Sequence, residues 1–239
     1  MHLHLFSDPG DKLRNIIEVS RPYLKDKDEP TIAYLPLASL YAEKWLEYNK
    51  TAFNGLARLM EINAELMTEK EIENIIREAA LVYITGGNTF LLNHRLHASG
   101  ILPYLKKKIQ NGLPVVGVSA GMIVCGPNIL TSKDMNTIGT VHFNGLHVSP
   151  FNFFAHYALD AYGQSRSPHS PFEQRAGQSV HDEWLSDYHF FHDNAVIMLS
   201  DNAYVKTDGR KTTLVRGEAW ILRKDSEKEK LEEGNLITR

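Results

Sequence analysis

The stretch Pro114-Val115-Val116-Gly117-Val118-Ser119-Ala120-Gly121 decides how the fold is read. Its apolar first part, 114–118, has the length and β-branched content of a buried strand. It delivers the chain into Gly117-Val118-Ser119-Ala120-Gly121, a G-x-S-x-G sequence, and the apolar Met122 to Cys125 then reads as a short helix. A serine on a sharp strand-to-helix turn sits in a strained backbone, and flanking glycines keep neighbouring side chains clear. The turn lifts the hydroxyl above the sheet, where N–H groups opening the next helix face a developing oxyanion. By composition alone, such a pattern turns up in a chain this long with a probability on the order of 10%. The setting, strand before and helix after, therefore carries the weight.

Working outward, the segment before it repeats the arrangement. Ala80 to Ile84 (ALVYI) reads as a buried strand that runs into Thr85-Gly86-Gly87-Asn88-Thr89-Phe90 and then into helical sequence through Gln110. Thr68 is placed as a helix N-cap, with Glu71 as its capping-box partner. Leu3 to Phe6 and Thr31 to Leu37 read as strands, Lys12 to Leu24 and Ala42 to Met60 as helical, and Ala64 to Met67 as a shorter segment. Short apolar strands alternating with helices predict a doubly wound, mostly parallel α/β sheet. Closely spaced strand candidates at 194–199, 203–207, 212–216 and 219–222, with an Asp208-Gly209 hairpin signal, predict a few antiparallel strands near the C-terminus. The charge run from Lys224 to Glu233 reads as a solvated helix face.

Composition bounds the function. The 239 residues carry 26 Lys+Arg and 29 Asp+Glu, a formal net charge of −3. That balance lacks the concentrated basic surface that nucleic acid requires. A single cysteine excludes an internal disulfide and an all-cysteine zinc site. No apolar run reaches the roughly 18 residues of a membrane-spanning helix. The start, MHLHLFSDPG, lacks the basic region and apolar stretch of a secretory signal. A single α/β domain over 1–239 in a reduced, cytoplasmic setting is expected, as a monomer or homodimer.

A nucleophilic serine needs a base and a group that orients the base. Asp134 follows Ser119 by 15 residues, and histidines stand at 142, 147, 156, 169, 181, 189 and 192. Spacing alone does not choose among them. In a doubly wound sheet, loops at the carboxyl ends of neighbouring strands converge on one crevice. A glycine amide of the 85–90 loop is therefore placed to face Ser119 and complete an oxyanion hole with the amide of Ala120.

Taken together, Gly-Gly-Asn-Thr-Phe at 86–90, the Gly-Val-Ser-Ala-Gly elbow, Asp134 in a Lys-Asp-Met context and His156-Tyr157 resemble the dipeptidase E (alpha-aspartyl dipeptidase) family of serine peptidases, related to cyanophycinases. The resemblance covers roughly residues 80–160. It implies a fold similar to the class I glutamine amidotransferase domain, with serine replacing cysteine. It further implies Ser119 as nucleophile, His156 as base, Asp134 as orienting acid, and Gly87 and Ala120 as oxyanion donors. No cofactor or metal is implied, and the substrate is a small peptide.

Two departures stand out. The family's Asn-Pro before the histidine is Phe154-Ala155 here. The family's Gly-Glu-Thr-Arg-Glu-Gln-Arg run, whose first arginine is associated with an N-terminal aspartate, corresponds to Ser170-Pro171-Phe172-Glu173-Gln174-Arg175. A phenyl ring cannot pair a carboxylate bidentately. Strict aspartyl specificity is therefore not expected unless Arg166 or Arg175 substitutes; the alternative is a pocket for apolar or aromatic residues. Asn88, Phe172, Glu173, Arg175 and Arg166 are the candidate substrate contacts, and 163–170 is a polar stretch placed as a loop. An esterase or amidase on the same triad, and a non-catalytic binding module, are the competing functions.

Other candidates have plainer readings. Cys125 is expected to be a buried small residue. His2 and His4 alternate on one face of a surface strand edge, and His189 to Asp193 is a polar loop before a strand. Phe151, Phe153, Phe154 and Tyr157 form core or wall the pocket.

Overall fold

Each apolar run of the first half becomes a parallel strand, and each amphipathic run between them a covering helix. The chain, described from a computed structural model over residues 1–10, 13–158, 180–208 and 211–237, runs β1 (Leu3–Phe6), α1 (Arg14–Leu24), β2 (Thr31–Leu35), α2 (Ala42–Phe53), β3 (Arg58–Glu61), α3 (Glu69–Glu78), β4 (Leu81–Ile84), α4 (Thr89–Ala98), α5 (Leu102–Gln110), β5 (Val115–Val118) and α6 (Ala120–Ile123). It continues through β6 (Asn152–Phe154), α7 (Val180–Phe191), β7 (Val196–Leu199), β8 (Tyr204–Thr207), β9 (Thr212–Arg216), β10 (Ala219–Leu222), β11 (Glu229–Leu231) and β12 (Leu236–Ile237). The main sheet has the order β12-β9-β8-β1-β5-β4-β2-β3. Strands β1, β5, β4, β2 and β3 pair in parallel, and β8, β9 and β12 extend the sheet antiparallel beyond β1.

Alternation along these strands builds two cores. Phe6, Ile32, Tyr34, Leu81, Tyr83, Val116 and Val118 face α1 and α2, which contribute Ile16, Leu24, Leu46 and Phe53. Leu5, Ala33, Val82, Ile84 and Val115 face the opposite side, which α3 to α6 cover. A four-stranded sheet in the order β11-β10-β7-β6 packs on that same side through Phe153, Ile197, Leu199, Ala219 and Ile221. The Thr68–Glu71 capping box opens α3 as expected.

Four readings need correction. The helical run expected over Ala42 to Met60 breaks at Asn54, because Gly55 with φ +74° and the turn after it redirect the chain into β3, the parallel edge partner of β2. The charge run after Lys224 is not a helix. Residues 229–231 form β11 against β10, Leu231 is buried, and Lys228 Nζ donates to the Tyr157 hydroxyl (2.6 Å) and to Asp182 (2.8 Å). His189 to Phe191 end α7, and only His192 and Asp193 lie in the connection to β7. His4 is no edge residue: β1 lies between β5 and β8, and the ring is buried between the hydroxyls of Tyr204 (2.5 Å) and Tyr23 (2.8 Å). Burial lowers the His4 pKa from 6.5 to about 4, so the ring is neutral. Cys125 is buried as expected, and desolvation raises its thiol to about 12. Among the described residues, no helix is long and apolar enough to cross a membrane.

Candidate active site

Strand β5 ends at the centre of the main sheet, and Ser119 is the residue that turns the chain out of it. Its backbone has φ 49° and ψ −108°, a costly conformation for a residue with a Cβ. The Ser119 N–H donates to Phe6 O at 2.8 Å, which ties the turn to β1. Two glycines make room for it. A Cβ on Gly121 would lie 2.2 Å from Ile84 O, and one on Gly117 would lie 2.6 Å from Gly121 O. The strained serine is held by a close approach that only glycine allows.

His156 reaches this hydroxyl from the second sheet. It follows β6 by two residues and has a left-handed backbone, φ 57°. Its N–H donates to Ser7 Oγ at 2.8 Å, and Ser7 Oγ donates in turn to Leu199 O at 3.2 Å. The following residue, Tyr157, also donates its N–H to Leu199 O. The imidazole Nε2 then lies 3.0 Å from Ser119 Oγ.

The carboxylate on the other ring nitrogen is Asp201, with Oδ1 2.5 Å from His156 Nδ1. Asp201 stands in the short connection between β7 and β8 and its side chain is 65% exposed. Asp134, expected in that position, is elsewhere. Its Oδ2 accepts from the Thr89 N–H (2.8 Å), Thr89 Oγ1 (2.7 Å) and Ser132 Oγ (3.0 Å). The physical reason is the start of α4, whose unpaired N–H groups and positive end attract a carboxylate. Asn88 works beside it: its side-chain oxygen caps the Leu91 N–H, and its amide donates to Met135 O at 3.1 Å. Residues 132–135 therefore clamp the loop that carries Gly86 and Gly87. The half-buried amine of Lys133 has its pKa lowered by desolvation, against the opposing fields of Asp201 and Asp134.

Gly87 has φ +135°, and a Cβ there would lie 2.5 Å from Ala38 O. A Cβ on Gly86 would lie 3.3 Å from the Ser119 Cβ, so this loop borders the hydroxyl directly. Of the remaining candidate contacts, Arg166, Phe172, Glu173 and Arg175, like the 163–170 stretch, lie outside the described residues.

One group of metal-type donors occurs among the described residues. The donor atoms of Asp8, His156 and Asp201 lie within 4.8 Å of one another. The Nδ1 of His156 is already hydrogen-bonded to Asp201, and Asp8 accepts from the Gly10 N–H at 2.7 Å.

Comparison with known proteins shows the family. The model of peptidase family S51 matches residues 6–215. The chain belongs to peptidase family S51. "Peptidase E" of Nostoc sp. strain PCC 7120 is 36% identical over 128 residues, 53% of this chain and 52% of that protein. "Probable alpha-aspartyl dipeptidase" of Drosophila melanogaster is 31% identical over 193 residues, 80% of this chain and 75% of that protein. The match thus spans about half the length of the first relative. A solved peptidase from an acI-B1 Actinobacterium superposes with a TM-score of 0.72 over 100% of this chain and 96% of that one, at 17% identity, a likeness of fold.

In this S51 chain, sequence reasoning missed Asp201 and Ser7. Asp201 lies in Ser200-Asp201-Asn202 between two strand candidates, a signal that reads only as a turn. Ser7 lies directly after β1, at the carboxyl end of the strand next to β5, and that position was its one available signal.

Proposed function

We propose that this chain is a serine peptidase of short peptides, working through an acyl-enzyme. Ser119 attacks the scissile carbonyl while His156 Nε2 takes its proton. Asp201 accepts from Nδ1, which fixes the tautomer and stabilises the imidazolium that forms. The N–H groups of Gly87 and Ala120 are the oxyanion donors. His156 returns the proton to the leaving amine, and water resolves the ester by the same base. Asp134 acts one step removed, by holding the loop that presents Gly87. The observation that carries this reading is the continuous Ser119–His156–Asp201 hydrogen-bonded line, at 3.0 and 2.5 Å.

The test is hydrolysis of a dipeptide library and labelling by a fluorophosphonate, by wild type and Ser119→Ala in parallel. Cleavage and labelling in the wild type, with turnover in the variant lower by several orders of magnitude and an unchanged fold, is the expected result. Equal turnover in both proteins, or cleavage of esters but no peptide, overturns it.

A further inference from the structure

A cavity of about 350 Å³ opens beside the oxyanion loop, on the opposite face of the main sheet from the strands that bring His156. That volume falls within the range of roughly 300–1,000 Å³ of small-molecule sites. Gly86, Gly87 and Val118 form its inner wall, so the cavity starts at the backbone that flanks Ser119. The far walls are aromatic. Tyr34 and Tyr83 rise from β2 and β4, and Ala42, Trp45 and Tyr48 come from the face that α2 turns toward the strand ends.

Three observations give this cavity a chemistry. Among the described residues, none that lines it is Lys, Arg, Asp or Glu. Of its inner polar groups, the Asn49 amide nitrogen donates to the Tyr34 hydroxyl at 3.2 Å and to Trp45 O at 2.7 Å, while the Asn49 Oδ1 is buried without a partner. At the mouth, Trp45 is 60% exposed and Tyr48 41% exposed, with their rings edge to face at 6.4 Å. Large aromatic rings left in water around an apolar hollow mark a binding surface. Burial raises the phenols of Tyr34 and Tyr83 well above their usual range, so neither supplies a charge. A wider groove lined by Pro30, Lys50 and Arg58 lies at the amino ends of β2 and β3, away from Ser119.

Orientation follows from proton transfer. His156 delivers its proton to the leaving amine, so the leaving residue departs on the histidine face. The cavity on the other face is left for the residue that stays on the serine. We infer that this cavity holds the side chain of the acyl residue, and that the substrates are peptides whose N-terminal residue is aromatic or large and apolar. The inference rests on the Ser119 reading for the direction of the scissile bond. A carboxylate entering this cavity would lose its water and meet no cation among the described residues, so aspartyl peptides are the disfavoured class.

The experiment compares Phe-, Leu-, Ala- and Asp-Xaa dipeptides with wild type, Ala42→Trp and Trp45→Ala. It adds calorimetric titration of Ser119→Ala, and of Ser119→Ala carrying Ala42→Trp, with Phe-Gly and Asp-Gly. We expect kcat/KM for Phe-Xaa to exceed that for Asp-Xaa by about a hundredfold or more. Ala42→Trp fills the cavity and lowers kcat/KM for Phe-Xaa at least about tenfold more than for Ala-Xaa. Trp45→Ala, at an exposed position, raises KM for Phe-Xaa with little change in kcat. Serine-dependent cleavage that favours Asp-Xaa, or an Ala42→Trp protein with unaltered preference, overturns the cavity assignment and leaves the Ser119 chemistry standing. Absence of cleavage, with Phe-Gly binding to Ser119→Ala that Ala42→Trp abolishes, keeps the cavity and overturns the peptidase reading. Absence of both overturns both.

Discussion

The two sides of Ser119 are built by different means. On the oxyanion side, Gly86 to Thr89 and residues 132–135 come from two short stretches that touch each other through Asp134, Thr89 and Asn88. On the histidine side, Ser7, His156, Leu199 and Asp201 come from three places far apart in the chain, joined by the β6–β7 pairing and by side-chain hydrogen bonds of Ser7 and Asp201. The first side is a motif that a local stretch of sequence can specify. The second exists only after the second sheet has docked on the first. A carboxylate is needed on each side, for different reasons: Asp134 satisfies a helix start, and Asp201 satisfies an imidazole.

The comparison breaks if the two carboxylates are exchanged in effect. Asp201→Asn is expected to lower kcat by between about 10² and about 10⁴, the upper figure being that of a buried triad acid. Asp134→Asn is expected to lower kcat about tenfold while lowering the melting temperature, since it weakens charge-assisted bonds at a helix start. Stopped-assay kcat and thermal melts of both variants decide it. The reverse order would return the acid's role to Asp134.

Gly87→Ala sharpens the oxyanion side. A Cβ placed 2.5 Å from Ala38 O forces the loop to move. A loss of roughly 10²–10³ in kcat is expected, the cost of one displaced oxyanion donor. Wild-type turnover would show that Gly87 has no part in the hole. Ser7→Ala sharpens the histidine side. Its loss leaves the His156 N–H unpaired, at a cost of about 1–3 kcal/mol in stability, and kcat should fall about tenfold as the ring loses its anchor. A variant with unchanged denaturant midpoint and kcat would show that β6 alone holds His156.

The smallest effect concerns the base of the sheet. The folded pKa of His4 is about 4 against an unfolded value of 6.5, so between those values the unfolded chain binds more protons. The contribution of His4 to stability is complete above about pH 6.5 and is lost as pH falls toward 4. Denaturant midpoints measured across that window should fall with pH, and less steeply in His4→Gln.

The fold was legible where local physics decides. Short apolar strands, the Thr68–Glu71 capping box and the glycines around Ser119 each carry their own reason. The edge strand β3 was hidden, because Arg58 to Glu61 alternates too weakly to stand out from the helical sequence before it. Strand β11 was hidden by its charges, which lie outward while Leu231 points in. For the site, Ser119 and His156 stood in recognisable sequence and meet in space. Asp201 did not, since a turn between two strands looks the same whether or not a histidine lies above it.

Ser119 belongs to the main sheet, whereas His156 is delivered by the second sheet, and Ser7 bridges the ends of the two through Leu199. On the proposed chemistry, turnover gauges how firmly one layer sits on the other. Mild heat or denaturant that lets the layers slide would silence the protein while each sheet still gave its spectroscopic signature. Restoring contact between them would bring activity back without any chain having to refold.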